Sequence, residues 1–297
     1  MEDWLANRTT LAGVAIAIAA AGALSLVLGA SRSGAASALD RPAALGEARR
    51  ASLTVDVPPA VTDRIYAAPA AAGRPIIVID AGHGGRDPGA TAMSGDVTEK
   101  ALTLAFAREL RDRLVERGRV RVAMTRDDDR YLTLEQRAGV ARRLGASLFV
   151  SLHTDSAPNP LARGATVYSL SDVASDAEAA RFAAAENRGG LPFGPGNGSV
   201  SSILADLAVR SEMNASADFA ARLVNKSAGH FELRPEPHRF AAFHVLRRAD
   251  TPAVLFEAGY ISNVDDEALL RSPEHRRTIV LALAQAIEAD VAARARR

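Results

Sequence analysis

The sequence predicts an α/β fold: a mostly parallel open sheet with helices on both faces, and a helical insertion of the kind that can serve as a cover. Three observations predict it. Short continuous apolar runs at residues 76–80, 119–124 and 147–152 alternate with stretches at 99–117 and 133–144 whose apolar residues recur at helical spacing. Runs of that kind suit strands buried on both faces, with the helices between them supplying the cover. From about residue 171 to 230 the alternation stops, and two helical patterns flank a glycine- and proline-rich turn.

Each element has its own signal. The run at 76–80 is Ile-Ile-Val-Ile-Asp, followed by glycines. The helix at 99–117 places Leu102, Phe106, Leu110 and Leu114 on one side, with Thr98 as its cap and Gly118 as its stop. A strand at 119–124 and a helix at 133–144 follow, then strands at 147–152 and 165–170. The insertion holds an Ala- and Glu-rich helix at 175–187, the turn at 189–198 and a second helix at 201–228, with no strand. Short strands are expected at 243–246 and 253–257, and a closing amphipathic helix at 273–293 opens on Pro273.

Composition narrows the class. At 297 residues, 48% hydrophobic and 24% charged, the chain is globular and long enough for a full core. A net charge of +1 gives no pull toward nucleic acid, so no nucleic-acid partner is expected. The absence of Cys excludes disulfides and thiolate metal sites. Residues 11–30 form an uncharged apolar run long enough to span a bilayer, and Ala36-Ser37-Ala38 offers a cleavage site. Residues 1–38 therefore read as a signal peptide or a membrane anchor, with a buried core helix as the ordinary alternative. Both main readings export the rest of the chain, and membrane contact is expected only through this segment. Residues 39–73, rich in Ala, Ser, Pro and Arg, read as a linker with room for a short strand at 52–57, and the main domain as 74–297.

Four residues carry the chemistry: His83, Glu99, His153 and Glu257. His83 lies in Ile76-Ile-Val-Ile-Asp-Ala-Gly-His-Gly-Gly-Arg-Asp-Pro-Gly-Ala90, where a strand breaks into a glycine loop. His153 and Glu257 end the apolar runs Ser147-Leu-Phe-Val-Ser-Leu-His153 and Ala253-Val-Leu-Phe-Glu257. Taken singly, most have ordinary readings. A His after a strand is commonly a satisfied polar group, and Glu99 alone is a first-turn acid favoured by the helix dipole. Asp155 could orient His153 or merely cap a turn. Glu257 is harder to dismiss, because an unpartnered carboxylate beside Ala-Val-Leu-Phe is costly to bury. As a set, two imidazoles and a carboxylate with one position left over suit a catalytic Zn2+, and a fourth acid could drive a water. His230, His238 and His275 read as solvated or surface residues, His244 as a weaker site candidate, and Arg126 and Arg137 as ion-pair formers.

The same stretches resemble a known family. Ile-Asp-Ala-Gly-His-Gly-Gly-x-Asp-Pro-Gly-Ala around His83, Thr-Glu-Lys at Glu99, Met-Thr-Arg-Asp-Asp-Asp at 124–129 and Leu-x-x-Arg-x-x-x-Ala at 134–141 come in order. Leu-Phe-Val-Ser-Leu-His-Thr-Asp at 148–155, Ala-Arg-Gly-Ala-Thr-Val-Tyr at 162–168 and Pro-Ala-Val-Leu-Phe-Glu-Ala-Gly-Tyr-Ile-Ser-Asn at 252–263 follow. The chain thereby resembles the zinc-dependent N-acetylmuramoyl-L-alanine amidases of the amidase-3 group, which include the cell-separation amidases of Gram-negative bacteria. It departs from the usual pattern at Arg142 and Thr154, neither a ligand position. The resemblance implies Zn2+ held by His83, Glu99 and His153, with Glu257 as the catalytic glutamate. It also implies peptidoglycan as substrate, cut between N-acetylmuramic acid and L-alanine, and work in the periplasm.

Some relatives with an insertion at this place cover the zinc with an acidic residue until an activator protein with a LytM-type domain pulls the helix away. Glu178, Glu186 and Glu212 are the acids of this insertion's helices considered for that role; by position Glu186 is expected to be the covering ligand. Two other readings stay open at this point: a zinc peptidase acting within the stem peptide, and a non-catalytic wall-binding regulator.

Overall fold

The computed structural model describes residues 63–189 and 200–296. The chain divides after Pro58, and everything below concerns the second unit. The apolar run at 11–30, the expected strand at 52–57 and the centre of the turn at 189–198 lie outside the described residues.

Seven strands form one sheet in the order β1-β3-β2-β4-β7-β5-β6. They are β1 (Ile65–Tyr66), β2 (Ile76–Ala81), β3 (Arg121–Met124), β4 (Leu148–Asp155), β5 (Ala165–Leu170), β6 (Leu233–Ala241) and β7 (Ala253–Tyr260). The pairs β2–β3, β2–β4, β4–β7 and β5–β6 are parallel, whereas β1–β3 and β5–β7 are antiparallel. Helix α1 (Glu99–Arg117) carries the chain from β2 outward to β3. Helix α2 (Leu134–Leu144) then returns it past β2 to β4. The sheet order therefore reverses at β2, and crevices at the carboxyl ends of strands beside such a reversal are where open α/β sheets place ligands.

Two cores, one on each face, hold the layers together. Along β2, Ile77 and Ile79 join α1 through Leu102, Phe106, Leu110 and Leu114, together with α7 (Pro273–Arg294) through Ile279, Leu283 and Ile287. Ile76 and Val78 face the other way, toward Val140 and Ala141 of α2, Ala179 and Ala183 of α3 (Ala177–Glu186), and Val245 and Leu246 of α5 (His244–Arg247). The alternation follows from the two-residue period of a strand. Local signals set the helix ends. Thr133 and Gln136 form a reciprocal capping box at the start of α2, and Gly118 and Gly145 stop α1 and α2 in the left-handed conformation.

The sheet departs from the sequence expectation in three places. Residues 243–246, expected as a strand, belong to the four-residue helix α5. The strand of this region is β6, whose Pro235 and Pro237 hide it from a pattern search. Proline is tolerated there because β6 is an edge strand and donates to no neighbour on its outer side. Residues 65–66, read as linker, add a short antiparallel edge strand to β3. A helix, α6 (Val264–Arg271), was not anticipated; Asn263 caps it by accepting from the backbone N–H groups of Asp265 and Asp266.

The insertion divides between the two faces. α3 packs with α5 and β6, while α4 (Val200–Ser227) runs along the opposite face and sends Phe219, Ala220 and Leu223 into the core beside α7. The distal half of α4 is thus structural, which among the described helices of the insertion leaves α3 as the candidate cover. Phe219→Ala should cost about 3–5 kcal/mol of stability. Urea unfolding checks this; a loss below about 1 kcal/mol would mean that α4 is not part of the core.

Candidate metal centre at the ends of β2, β4 and β7

The site begins with the way β2 ends. Asp80 is buried and accepts hydrogen bonds from Thr125 Oγ1 at 2.6 Å, Ser151 Oγ at 2.7 Å and Arg137 Nη1 at 2.8 Å. Burial alone would raise its pKa; Arg137 and the two hydroxyls more than offset this and hold it below the ordinary carboxylate value. Arg137 also donates to the carbonyls of Ala81 at 2.7 Å and His83 at 2.5 Å. Arg126 donates to those of Ala81 at 2.9 Å and Gly82 at 2.8 Å. Two buried guanidinium groups thus fix the backbone of residues 81–83. Arg137 forms the ion pair the sequence suggested, whereas Arg126 bonds carbonyls and the Thr103 hydroxyl rather than an acid among the described residues.

That grip holds His83 at φ 59, a left-handed conformation that costs a non-glycine residue about 1–3 kcal/mol. Its consequence is to turn the imidazole back over the strand ends. Two glycines make room. A Cβ on Gly82 would come within 2.5 Å of the His153 ring, and one on Gly89 within 2.5 Å of Glu99 Oε2. Asp87 Oδ2 lies 3.0 Å from His83 Nδ1, which leaves Nε2 to face the site. Asp87 was not singled out from the sequence, although its spacing of four from His83 within the glycine loop is the signal that could have found it.

Glu99 opens α1 and lies between the two imidazoles. Its Oε2 is 3.1 Å from His83 Nε2 and accepts from the Ala90 N–H at 2.9 Å. Its Oε1 is 3.1 Å from His153 Nδ1 and accepts from the Thr154 N–H at 3.0 Å. The rings meet edge to face with centroids 5.0 Å apart. Glu257 is fully buried one strand away, paired in register with His153 across β4 and β7 and with Thr166 across β5. Residues opposite each other in a parallel pair project to the same face, so Glu257 and His153 share a side of the sheet. Both β4 and β7 continue past these residues, so neither side chain ends its strand as the sequence had suggested. The side chain of Asp155 lies outside the described part.

The cover is at hand as well. Glu186 Oε2, from the last turn of α3, lies 3.8 Å from His83 Nε2 and 3.7 Å from His153 Nδ1. One ligand atom each from His83, His153 and Glu186 fall within 4.8 Å of one another. Glu178 points elsewhere and pairs with Arg234 and Arg239, while Glu212 lies on α4 beside Asp250 rather than with the imidazoles. Of the remaining histidines, His238 is half-buried against Phe240 and bonded to Ser169, not solvated as expected. His244 starts α5, and its backbone N–H donates to Asn187 at 2.7 Å. His275 sits in the first turn of α7, half-buried near Phe231.

Electrostatics explains what such a cluster wants. Burial disfavours a charged His83, yet the carboxylates of Glu99, Asp87 and Glu186 outweigh burial and push its pKa up to about 11. Burial would raise the Glu99 pKa, but the two imidazoles draw it far below the ordinary value. For Glu186 burial prevails over those imidazoles, and its pKa is raised. A field that holds an extra proton on an imidazole also favours a metal cation among the same donors. These groups line a cleft of about 760 Å3.

The sequence profile of a family described as N-acetylmuramoyl-L-alanine amidase, Amidase_3, matches residues 77–289, a span that holds all five of these side chains. The chain belongs to this amidase family. It is 34% identical over 220 residues to the N-acetylmuramoyl-L-alanine amidase AmiC of Neisseria meningitidis, covering 72% of this chain and 52% of that protein. It is 33% identical to AmiA of Escherichia coli K12, again over 72% of this chain and here 75% of the relative. The chain thus spans about half the length of the first relative and three quarters of the second. Among solved structures, the catalytic domain of the amidase CwlV from Paenibacillus polymyxa aligns with a TM-score of 0.50 at 29% identity, over 72% of this chain and 96% of that one. AmiC2 of Nostoc punctiforme shares the fold, with a TM-score of 0.53 at 24% identity over 76% of this chain and 99% of that one.

Arg137 is the joint between core and site in this member of the family. Arg137→Met should leave Asp80 buried without its cation and cost about 3–5 kcal/mol. Chemical denaturation measures the loss; stability within about 1 kcal/mol of wild type would show that the pair does not organise the end of β2.

Proposed function

We propose that this protein is a zinc-dependent amidase that hydrolyses the amide joining N-acetylmuramic acid to the L-alanine of the peptidoglycan stem peptide. The observation that supports the reading is the contact of Glu99 with both imidazoles, 3.1 Å from His83 Nε2 through one oxygen and 3.1 Å from His153 Nδ1 through the other, with Glu257 in register with His153 on the adjoining strand. The donors fit zinc by their chemistry: two imidazole nitrogens and a carboxylate, with Asp87 holding the outer nitrogen of His83 in the manner typical of metal-bound histidine. Zinc bound there would acidify a water toward a pKa of about 7 and polarise the scissile carbonyl. Glu257 would act as the proton carrier, taking a proton from the attacking water and passing one to the departing amine of L-alanine. Its burial keeps bulk water from competing for the proton. No Ser or Cys nucleophile is required.

In this reading α3 is a self-inhibitory cover. Glu186 occupies the face of the cluster where substrate must enter, and its helix is bolted down. Arg239 pairs with Asp176 and with Glu178, the latter at 3.1 Å; Phe182 packs between Tyr168 and Phe243; and Asn187 clamps the loop after β6 through Ala242 O at 2.7 Å. A LytM-type activator opens the site only if it binds the displaced form of α3 more tightly than the seated form. Residues 1–38 would deliver the enzyme to the periplasm as a signal peptide or anchor, where it serves cell separation. Among the described residues no helix is long and apolar enough to cross a membrane.

Digestion of purified sacculi tests the reaction. The wild-type enzyme should release stem peptides with a free L-alanine amino terminus, whereas cuts inside the stem would identify a peptidase. Glu257→Gln should retain zinc and lose about two to four orders of magnitude in rate. His153→Ala should lose both metal and activity; near-normal turnover by Glu257→Gln would remove its assigned role.

Glu186→Ala should raise activity on sacculi in the absence of any activator, with zinc content unchanged. A gain of about tenfold corresponds to roughly 1.4 kcal/mol taken from the closed form. An equal rate in wild type and variant would exclude inhibition by this residue.

A further inference from the structure

Arg86, Arg137, Arg181 and Arg188 line the cleft. Arg126 and Arg137 hold carbonyls and Asp80, and Arg181 and Arg188 ride on α3 or the turn directly after it. Arg86 differs. It lies on the fixed wall of the cleft, three residues from His83, is exposed, and has no carboxylate partner among the described residues. Its guanidinium lies over the Tyr131 ring, 4.2 Å from the centroid, and Tyr131 lines the same cleft.

The loop presents this side chain firmly. Gly84 and Asp87 exchange backbone hydrogen bonds of 2.9 and 3.2 Å, so Arg86 sits in a closed four-residue turn. The turn is tied to Asp129 through the Gly85 N–H at 2.8 Å and to Lys100 through the Gly85 carbonyl at 2.8 Å. A guanidinium stacked on an aromatic face keeps its in-plane N–H groups free, and that fork matches a carboxylate. Arg86 lines the same cleft as His83 and stands three residues from it, at most about 10–11 Å along the backbone, so its head is placed for substrate groups near the reacting bond rather than at it.

The chemistry of the substrate says which group that is. The lactyl carboxyl of muramic acid is already the acyl half of the scissile amide. The rest of the sugar is hydroxyl, ether and N-acetyl, all neutral. The nearest anion therefore belongs to the departing peptide. We propose that Arg86 is a specificity-determining residue that binds the free carboxylate of the stem residue following L-alanine. This inference rests on the amidase reading above.

The test uses the zinc-loaded full chain, as wild type and with Glu186→Ala. Its probes are two soluble muramyl tripeptides that differ only in a free carboxylate or a carboxamide on the second stem residue. The carboxylate form should be preferred by about ten- to hundredfold in kcat/KM, chiefly through KM, the span expected of a charge-assisted hydrogen bond. Arg86→Gln should abolish the preference by slowing only the carboxylate substrate, and Arg86→Lys should keep part of it. No preference in either parent enzyme, or an equal loss on both substrates in Arg86→Gln, overturns the role of Arg86 while leaving the amidase reading in place. Failure of both parent enzymes to cut the lactyl amide of either substrate overturns both.

Discussion

A charge buried inside a parallel sheet has to be answered by its neighbours, and Asp80 is the place where this fold answers one. Its carboxylate gathers Thr125 from the segment after β3, Ser151 from β4 and Arg137 from α2. Three strands and a helix are thereby registered at the level where β2 ends. Arg137 then extends its grip to the carbonyl of His83, and Arg126 to that of Gly82. The strained conformation of His83 is affordable because these hydrogen bonds surround it. Loosening the pair would release the loop that aims the imidazole, so core stability and site geometry are one problem in this molecule.

The second organising feature is the density of carboxylates around two imidazoles. Glu99, Asp87 and Glu186 surround His83 and His153 within hydrogen-bonding or slightly longer reach, in a place where solvent screens little. Such a cluster is tolerable only with compensating positive charge. In the proposed enzyme a divalent ion supplies that charge, and the two acids nearest the imidazoles divide the work. Glu99 is fixed by two backbone N–H groups and belongs to the scaffold. Glu186 rides on an element joined to the sheet by ion pairs, one aromatic cluster and the small core residues Ala179 and Ala183, so its departure would uncover only part of one face of the core. The other helix of the insertion has Phe219 in the main core and cannot leave.

Much of this was legible in the sequence because the relevant signals are local. Continuous apolar runs marked β2, β4, β5 and β7, and Thr98 with Gly118 bounded α1 to the residue. His83, His153 and Glu257 stood out because polar groups that follow continuous apolar runs need a reason, and Glu99 because it completed the set. What escaped depended on tertiary context. β6 was hidden because Pro235 and Pro237 are acceptable only on an edge, which sequence does not reveal. Residues 243–246 carry the same apolar run a strand would, and only packing against α2 and β5 makes them a helix turn. Arg86 gave no signal either, since its significance lies in the Tyr131 ring beneath it and the lack of a carboxylate partner among the described residues.

The claim on which the account turns is that one metal ion sits between His83, Glu99 and His153. Diffraction data collected on either side of the zinc absorption edge test it directly. The account expects a single strong anomalous peak in the cleft, about 2.0–2.2 Å from one nitrogen of each histidine and from a Glu99 oxygen. With α3 seated, a Glu186 oxygen should complete the shell. A peak coordinated without Glu99, or no peak in the cleft from zinc-loaded protein, would contradict it.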